Sequence, residues 1–183
     1  LSPTDNQIYV GRGSGAFARY SINGDVWIPL TNPPSGMGVG GRIIRDGTSD
    51  TIYMLRGVVS ASFYRYSISG NSWTTLTSVP GTVSRGGSMM RNGSDNDIYV
   101  LRGNNSANFY RYSISGNSWT TLTSLPGSIS IGTGSSPDLM SRNGSDDYIY
   151  VLQANNGGSG SFYRYSISGN SWTTFAPPTT TIG

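Results

Sequence analysis

The chain has 183 residues, and only 11% of them are charged, compared with about 25% in a typical soluble protein. All 12 basic residues are Arg and all 9 acidic residues are Asp, which gives a net charge of +3 with no Lys, Glu, His or Cys. This composition excludes disulfides and thiolate metal sites, and it leaves only Asp and Tyr for general acid–base catalysis.

The chain consists of four similar units, predicted at about residues 1–36, 37–82, 83–128 and 129–183. The 13-residue segment FYRYSISGNSWTT begins unchanged at Phe63, Phe109 and Phe162, and a degraded copy begins at Phe17. These starting points are 46, 46 and 53 residues apart. A period of this length, rich in strand-forming residues, is typical of a modular all-β array.

Each full unit has the pattern of four short strands. In the third unit these are predicted at Gly87–Arg91, Asp97–Arg102, Phe109–Ile114 and Ser118–Thr123. An Asn92-Gly93 pair, a strong hairpin signal, follows the first strand. Apolar and aromatic residues occupy both faces of the second strand, DIYVLR, so we expect this strand to be covered on both sides.

No segment has helical periodicity, and Gly, Pro, Ser and Asn recur too often for a helix of three turns. Units of about 45 residues with four strands each are typical of β-propeller blades. We therefore predict an all-β single domain, a four-bladed β-propeller of four-stranded antiparallel blades. The alternative is half of an eight-bladed ring that a second chain completes.

A Tyr and a Trp, separated by six residues, recur in every unit as Tyr20 and Trp27, Tyr66 and Trp73, Tyr112 and Trp119, and Tyr165 and Trp172. With the IYVLRG that precedes the third pair and the LTSLPG that follows it, this pattern resembles the kelch repeat. The chain departs from that family after the second strand, where Arg56-Gly57 and Arg102-Gly103 replace the usual pair of glycines. The resemblance implies blade geometry, and we expect the eight rings to pack between blades rather than to form binding platforms.

The two ends of the chain complement one another in register. Residues 1–10 align with residues 91–100, and residues 172–183 align with residues 73–84, so the first blade lacks its innermost strand. An unpaired interior edge leaves backbone groups without hydrogen bonds. Two ways to fill the edge are open. A strand from a neighbouring molecule would generate a head-to-tail polymer, and ring closure within the chain would use Thr179, Thr180, Thr181 and Ile182.

The sequence offers little for catalysis, so we predict a protein that is not an enzyme and that has no cofactor or metal. The Asp residues fall mostly in matching turns, as Asp46 and Asp50, Asp95 and Asp97, and Asp146 and Asp147. Hydrogen bonding within turns explains these carboxylates, with a calcium site at residues 95–97 as the alternative. One Arg position recurs in the third strand of every unit, at Arg19, Arg65, Arg111 and Arg164, and we expect inter-blade pairing with the Asp turns rather than anion binding.

Three Asn residues lie in glycosylation acceptor patterns and are candidate modification sites: Asn92, Asn104 and Asn143. The Arg residues are spread along the chain rather than clustered, which argues against a nucleic-acid partner. No apolar run is long enough for a membrane span. The partners we expect are therefore copies of the same chain, with glycans as a second class.

These observations favour an extracellular structural protein that assembles head-to-tail into a fibre or surface layer. Its low charge without Lys or Glu and its nearly identical units support this hypothesis. The alternative is a multivalent, lectin-like propeller that binds carbohydrate between blades; an intracellular kelch-type interaction domain is a third hypothesis. The last unit has extra residues near Ile131–Pro137, and we expect Ile131 and Pro137 to lie in a subunit contact.

Overall fold

A computed structural model describes residues 6–45, 49–92, 96–103, 105–127, 140–142, 146–155 and 158–176 of the chain. The strands within these residues are β1 (Gln7–Gly11), β2 (Phe17–Ser21), β3 (Val26–Pro29), β4 (Arg42–Arg45), β5 (Thr51–Leu55), β6 (Phe63–Ser67), β7 (Ser72–Thr75), β8 (Ser88–Asn92), β9 (Asp97–Gly103), β10 (Ser106–Ser113), β11 (Ser118–Leu122), β12 (Met140–Arg142), β13 (Tyr148–Asn155), β14 (Gly158–Ser166) and β15 (Ser171–Phe175). Within the described ranges, no helix has the length and apolar character needed to cross a membrane.

The strands form four antiparallel sheets, each built from strands that are consecutive in the chain. Three sheets have four strands, in the orders β4-β5-β6-β7, β8-β9-β10-β11 and β12-β13-β14-β15. The first sheet has three strands in the order β1-β2-β3, as far as the described residues show. This architecture confirms the predicted all-β class and is consistent with a four-bladed β-propeller.

The third blade shows why these sequences form blades that are buried on both faces. In β9, Tyr99 and Leu101 pack in a cluster with Ile149 of the fourth blade. The alternate residues, Ile98 and Val100, pack in a second cluster with residues of the second blade. Because side chains of a strand alternate between its two faces, this pattern places the apolar core in layers between blades.

The serine, glycine and asparagine of each repeated motif form the turn between the third and fourth strands. In the second blade, the Gly70 N–H donates to Ser67 Oγ at 3.1 Å, and Asn71 adopts a left-handed backbone with φ of 43°. Asn tolerates this conformation better than most residues with a side chain. The third and fourth blades repeat this turn at Asn117 and Asn170, with φ of 44° at both residues.

The third blade follows the predicted strand positions closely except at the start of its third strand. That strand, β10, begins at Ser106 rather than at Phe109, and its pairing with β9 is irregular between these two residues. The Ser106 hydroxyl accepts the N–H of Asn108 at 3.2 Å, and Asn105 has a left-handed φ of 55°. Local side-chain bonds to the backbone therefore extend the hairpin through an irregularity that apolar alternation does not reveal.

Candidate assembly surface

Each joint between neighbouring blades is built around one Phe side chain. Phe17 of the first blade is 3% exposed, and its ring centroid lies 4.9 Å from that of Tyr66 and 5.1 Å from that of Trp73 in the second blade. Both contacts are edge-on, at 75° and 67°. Such pairs contribute about 0.5–1.5 kcal/mol beyond the burial of their area. The same arrangement recurs for Phe63 with Tyr112 and Trp119, and for Phe109 with Tyr165 and Trp172.

Hydrogen bonds fix the register of the same joint. The indole N–H of Trp73 donates to the carbonyl oxygen of Thr31 in the first blade at 2.8 Å. The side-chain oxygen of Asn71 accepts the Thr31 N–H at 2.9 Å and the Tyr66 hydroxyl at 2.7 Å. The next two joints repeat all three bonds at equivalent positions. Each blade thus presents a Phe and a loop backbone on one face, and a Tyr, an Asn and a Trp on the other.

The repeat pattern predicts inter-blade packing for the Tyr and Trp of this joint, but not for its Asn and Phe. Asn71, Asn117 and Asn170 give no separate sequence signal for a joint, because a left-handed turn already accounts for an Asn. The Phe at the start of each motif recurs in all four units, at Phe17, Phe63, Phe109 and Phe162. That recurrence was the available signal for the second half of the joint.

The first blade carries the Tyr–Trp half of a joint on an exposed face. We call Ile8, Tyr20, Ile22 and Trp27 the leading face. Ile8 is 40% exposed and Trp27 is 56% exposed, whereas Ile52, which corresponds to Ile8 in the second blade, is 1% exposed. The Tyr20 and Trp27 rings lie 5.1 Å apart, as in the other blades. Tyr20 and Trp27, predicted to pack between blades, therefore contact each other, and no ring of another blade contacts them among the described residues.

Asp25 occupies the position on the leading face that Asn71 occupies in the second blade. Its carboxylate accepts a short hydrogen bond from the Tyr20 hydroxyl. This bond, followed by a smaller contribution from burial, raises the pKa of Tyr20. Asp25 also has the left-handed backbone of the other turns, with φ of 49°. The local geometry of the half-joint is therefore present in the first blade.

The fourth blade carries the Phe half of a joint on a partly exposed face. We call Tyr150, Leu152, Phe162 and Phe175 the trailing face. Phe162 is only partly buried, although Phe63 is 0% exposed, and Phe175 is 37% exposed. The Phe162 ring packs on its own blade, with centroids 5.9 Å from Tyr150 and 5.8 Å from Phe175. The trailing and leading faces are thus the two complementary halves of the internal joint.

The acidic turns hold carboxylates in structural hydrogen bonds. Asp50 accepts bonds from the Ser67 hydroxyl at 2.8 Å and from the Ser69 N–H and hydroxyl, both at 2.7 Å. The bonds from Ser69 and Ser67 lower the pKa of Asp50, and bonds from Ser168 and Ser166 lower that of Asp147. A general acid needs the opposite shift. Among the described residues, no three acidic side chains come together to hold a metal ion; Asp46 and Asp95 lie outside these residues.

Four Arg residues at recurring positions have a partner in their own blade, and Arg45 also lies 5.6 Å from the ring centroid of Tyr9 in the first blade. Arg45 donates to the Ser49 carbonyl at 3.5 Å, Arg91 to the Asn96 side chain at 3.0 Å and Arg142 to the Asp146 carbonyl at 2.9 Å. Arg111 pairs with Asp97 at 3.5 Å, and both residues belong to the third blade. For Arg111, the expected pairing with an Asp of another blade is therefore wrong. Its partner Asp97 lies on β9, the strand adjacent to β10 in the same sheet.

Several predicted site residues lie outside the described part of the chain. These are the glycosylation candidates Asn104 and Asn143, the loop residues Ile131 and Pro137, and Thr179, Thr180, Thr181 and Ile182. Asn92 ends β8, where it pairs with Asp97. Glycosylation, ring closure by the chain's own residues 179–182, and the loop contact therefore stay predictions.

The sequence matches no protein-family model, and no curated protein is similar to it at a significant level. Among solved structures, the fold is similar to that of YjhT, with a TM-score of 0.67 and 14% sequence identity. The alignment covers 98% of this chain and 65% of the YjhT chain. At this identity the likeness shows the fold alone.

Proposed function

We propose that this chain is a non-enzymatic structural protein whose subunits join head-to-tail into a fibre or surface layer. The observation that carries the proposal is the pair of exposed, complementary faces on the first and fourth blades. Trp27 is 56% exposed and Phe175 is 37% exposed, whereas the corresponding Trp119 and Leu76 of an internal joint are partly buried against its apolar cluster. Contiguous exposed apolar surfaces of this kind mark interaction sites.

The two faces differ from each other, so a contact between them is heterologous. A heterologous contact between identical copies either closes a ring or continues into a filament. Three features support the wider proposal of an extracellular, kelch-like repeat protein: the Tyr–Trp spacing, the recurrence of the motif in every blade, and a surface without Lys or Glu.

The lectin-like alternative has weaker support. Three of the four Trp side chains donate their indole N–H to the preceding blade, and the Phe rings of three units are enclosed between blades. These aromatic rings are therefore engaged in joints rather than exposed as equivalent sugar platforms. Binding of the purified chain to a glycan array would support this alternative.

The molar mass of the purified 183-residue chain as a function of concentration tests the proposal. Light scattering coupled to size-exclusion chromatography should give a mass that rises with concentration, and electron microscopy of the concentrated sample should show filaments or rings. A mass equal to one chain at every concentration would refute self-assembly. Repetition in high salt should leave assembly intact, because the proposed surfaces are apolar and salt screens only charges.

A further inference from the structure

We infer that the contact between copies reproduces the internal blade joint, with the leading face of one copy seated on the trailing face of the preceding copy. This inference rests on the proposed function and deepens it by assigning the contacts. One joint is repeated three times inside the chain, and each exposed half is equivalent to a half that is occupied in those joints. The occupant we assign to each face is a second copy of this chain, because a second copy carries the complementary half.

The ring contacts follow from residue equivalence. Phe162 holds the position of Phe17, whose ring lies 4.9 Å from Tyr66 and 5.1 Å from Trp73. Tyr20 and Trp27 hold the positions of those two partners, and their own ring separation of 5.1 Å matches the 5.0 Å between Tyr66 and Trp73. Phe162 of one copy consequently inserts edge-on between Tyr20 and Trp27 of the next.

The hydrogen bonds of the joint transfer in the same way. Ala176 follows Trp172 by four residues, as Thr31 follows Trp27, and the internal joint uses only the backbone N–H and carbonyl of that position for the bonds to Trp and Asn. Ala176 retains both groups. The Trp27 indole N–H then donates to the Ala176 carbonyl of the preceding copy, and Asp25 accepts the Ala176 N–H as Asn71 accepts that of Thr31.

The fourth blade differs from the internal blades at one position of the trailing face. Phe175, which is 37% exposed, stands where Leu76 and Leu122 stand in the second and third blades. This change adds apolar area to the contact. Only the exposed part of each ring can be buried in the contact, and it is largest for Trp27, at 56%, and for Phe175, at 37%.

Two variants test the assignment by complementation. Trp27→Asp disables the leading face and keeps the trailing face, whereas Phe162→Asp does the reverse. Each variant alone should be monomeric, and an equimolar mixture should form heterodimers that grow no further, because each dimer retains only disabled outer faces. Val39→Asp is the matched control, since Val39 is 57% exposed and belongs to neither face. Circular dichroism should show the same strand content in all variants.

A narrower pair of variants tests the hydrogen bonds. Asp25→Asn restores the residue of the internal joints and should assemble as the wild-type chain does. Asp25→Gly removes the acceptor but keeps the left-handed turn, and it should raise the protein concentration required for assembly at least tenfold.

The outcomes separate the inference from the proposed function. A wild-type chain that stays monomeric refutes both. A wild-type polymer that survives Trp27→Asp or Phe162→Asp leaves self-assembly standing and overturns this joint. Two monomeric variants that fail to form heterodimers on mixing overturn it as well, because head-to-tail pairing requires that the intact faces meet.

Discussion

Replacing the same motif residue in an internal blade and in the fourth blade distinguishes an enclosed joint from an exposed one. Phe109→Ala removes a ring that is 0% exposed and contacts Tyr165 at 4.9 Å and Trp172 at 5.2 Å. Truncating a buried Phe to Ala typically costs about 3–5 kcal/mol. Since a domain of this kind is stable by about 5–15 kcal/mol, Phe109→Ala should lower the urea midpoint severely.

Phe162→Ala removes the same side chain from the same sequence context, FYRYSISGNSWTT. Phe162 is only partly buried and lacks the two edge-on partners of the next blade within the described residues. Two such pairs contribute about 1–3 kcal/mol. The loss of unfolding free energy caused by Phe162→Ala in the monomer should therefore be smaller than the loss caused by Phe109→Ala, and the difference should be at least that amount. Urea unfolding is measured at a concentration where the chain is monomeric, because assembly would stabilise the wild type. Equal losses for the two variants would refute the reasoning, because they would mean that Phe162 is enclosed in the monomer.

Three further predictions concern the polar part of the joints and the hairpins. Asn117→Gly keeps the left-handed turn but removes the side-chain oxygen that accepts the Tyr112 hydroxyl and the Thr77 N–H of the neighbouring blade. The free energy of unfolding in urea should fall by about 1–3 kcal/mol. An unchanged free energy would refute the acceptor role. Burial raises the pKa of Tyr112 and Tyr165 to about 12. Their neutral forms stabilise the folded chain fully below the ordinary tyrosine pKa, so the free energy of unfolding, measured in urea at a series of pH values, should fall as pH rises from about 10 towards 12. Hydrogen bonds from Ser hydroxyls lower the pKa of Asp50 and Asp147. The two carboxylates therefore stabilise the folded chain above the ordinary Asp pKa, and this stabilisation is lost as pH falls through their pKa values in the folded chain. In the double variant Asp50→Asn, Asp147→Asn, the melting temperature should fall less steeply with decreasing pH than in the wild type.

Much of the fold could be predicted because the repeat makes every signal appear several times. The alternation in DIYVLR places Ile98 and Tyr99 on opposite faces, and both residues are 0% exposed. The irregular start of β10 could not be predicted, because it depends on hydrogen bonds from Ser106 rather than on apolar alternation.

The candidate site could be predicted only in part. The sequence indicates that Tyr and Trp pack between blades, but it does not show whether a given blade has a neighbour. Trp27 and Trp73 occupy equivalent motif positions, and only the structure shows that one is 56% exposed while the other donates to the preceding blade. Exposure of a repeated residue is decided by the adjacent unit, which local sequence does not encode.

The asymmetry of the joint explains why the two exposed faces are of different kinds. Each blade presents a Phe and a backbone loop on one face and a Tyr, an Asn or Asp, and a Trp on the other, so a row of blades that does not close on itself leaves one half of each kind unmatched. A symmetric partner that binds one face would leave the other exposed. In the assembly that we propose, a second copy offers both missing halves at once, and each additional copy leaves the same two faces at the ends. Growth by addition of identical units follows from that proposal.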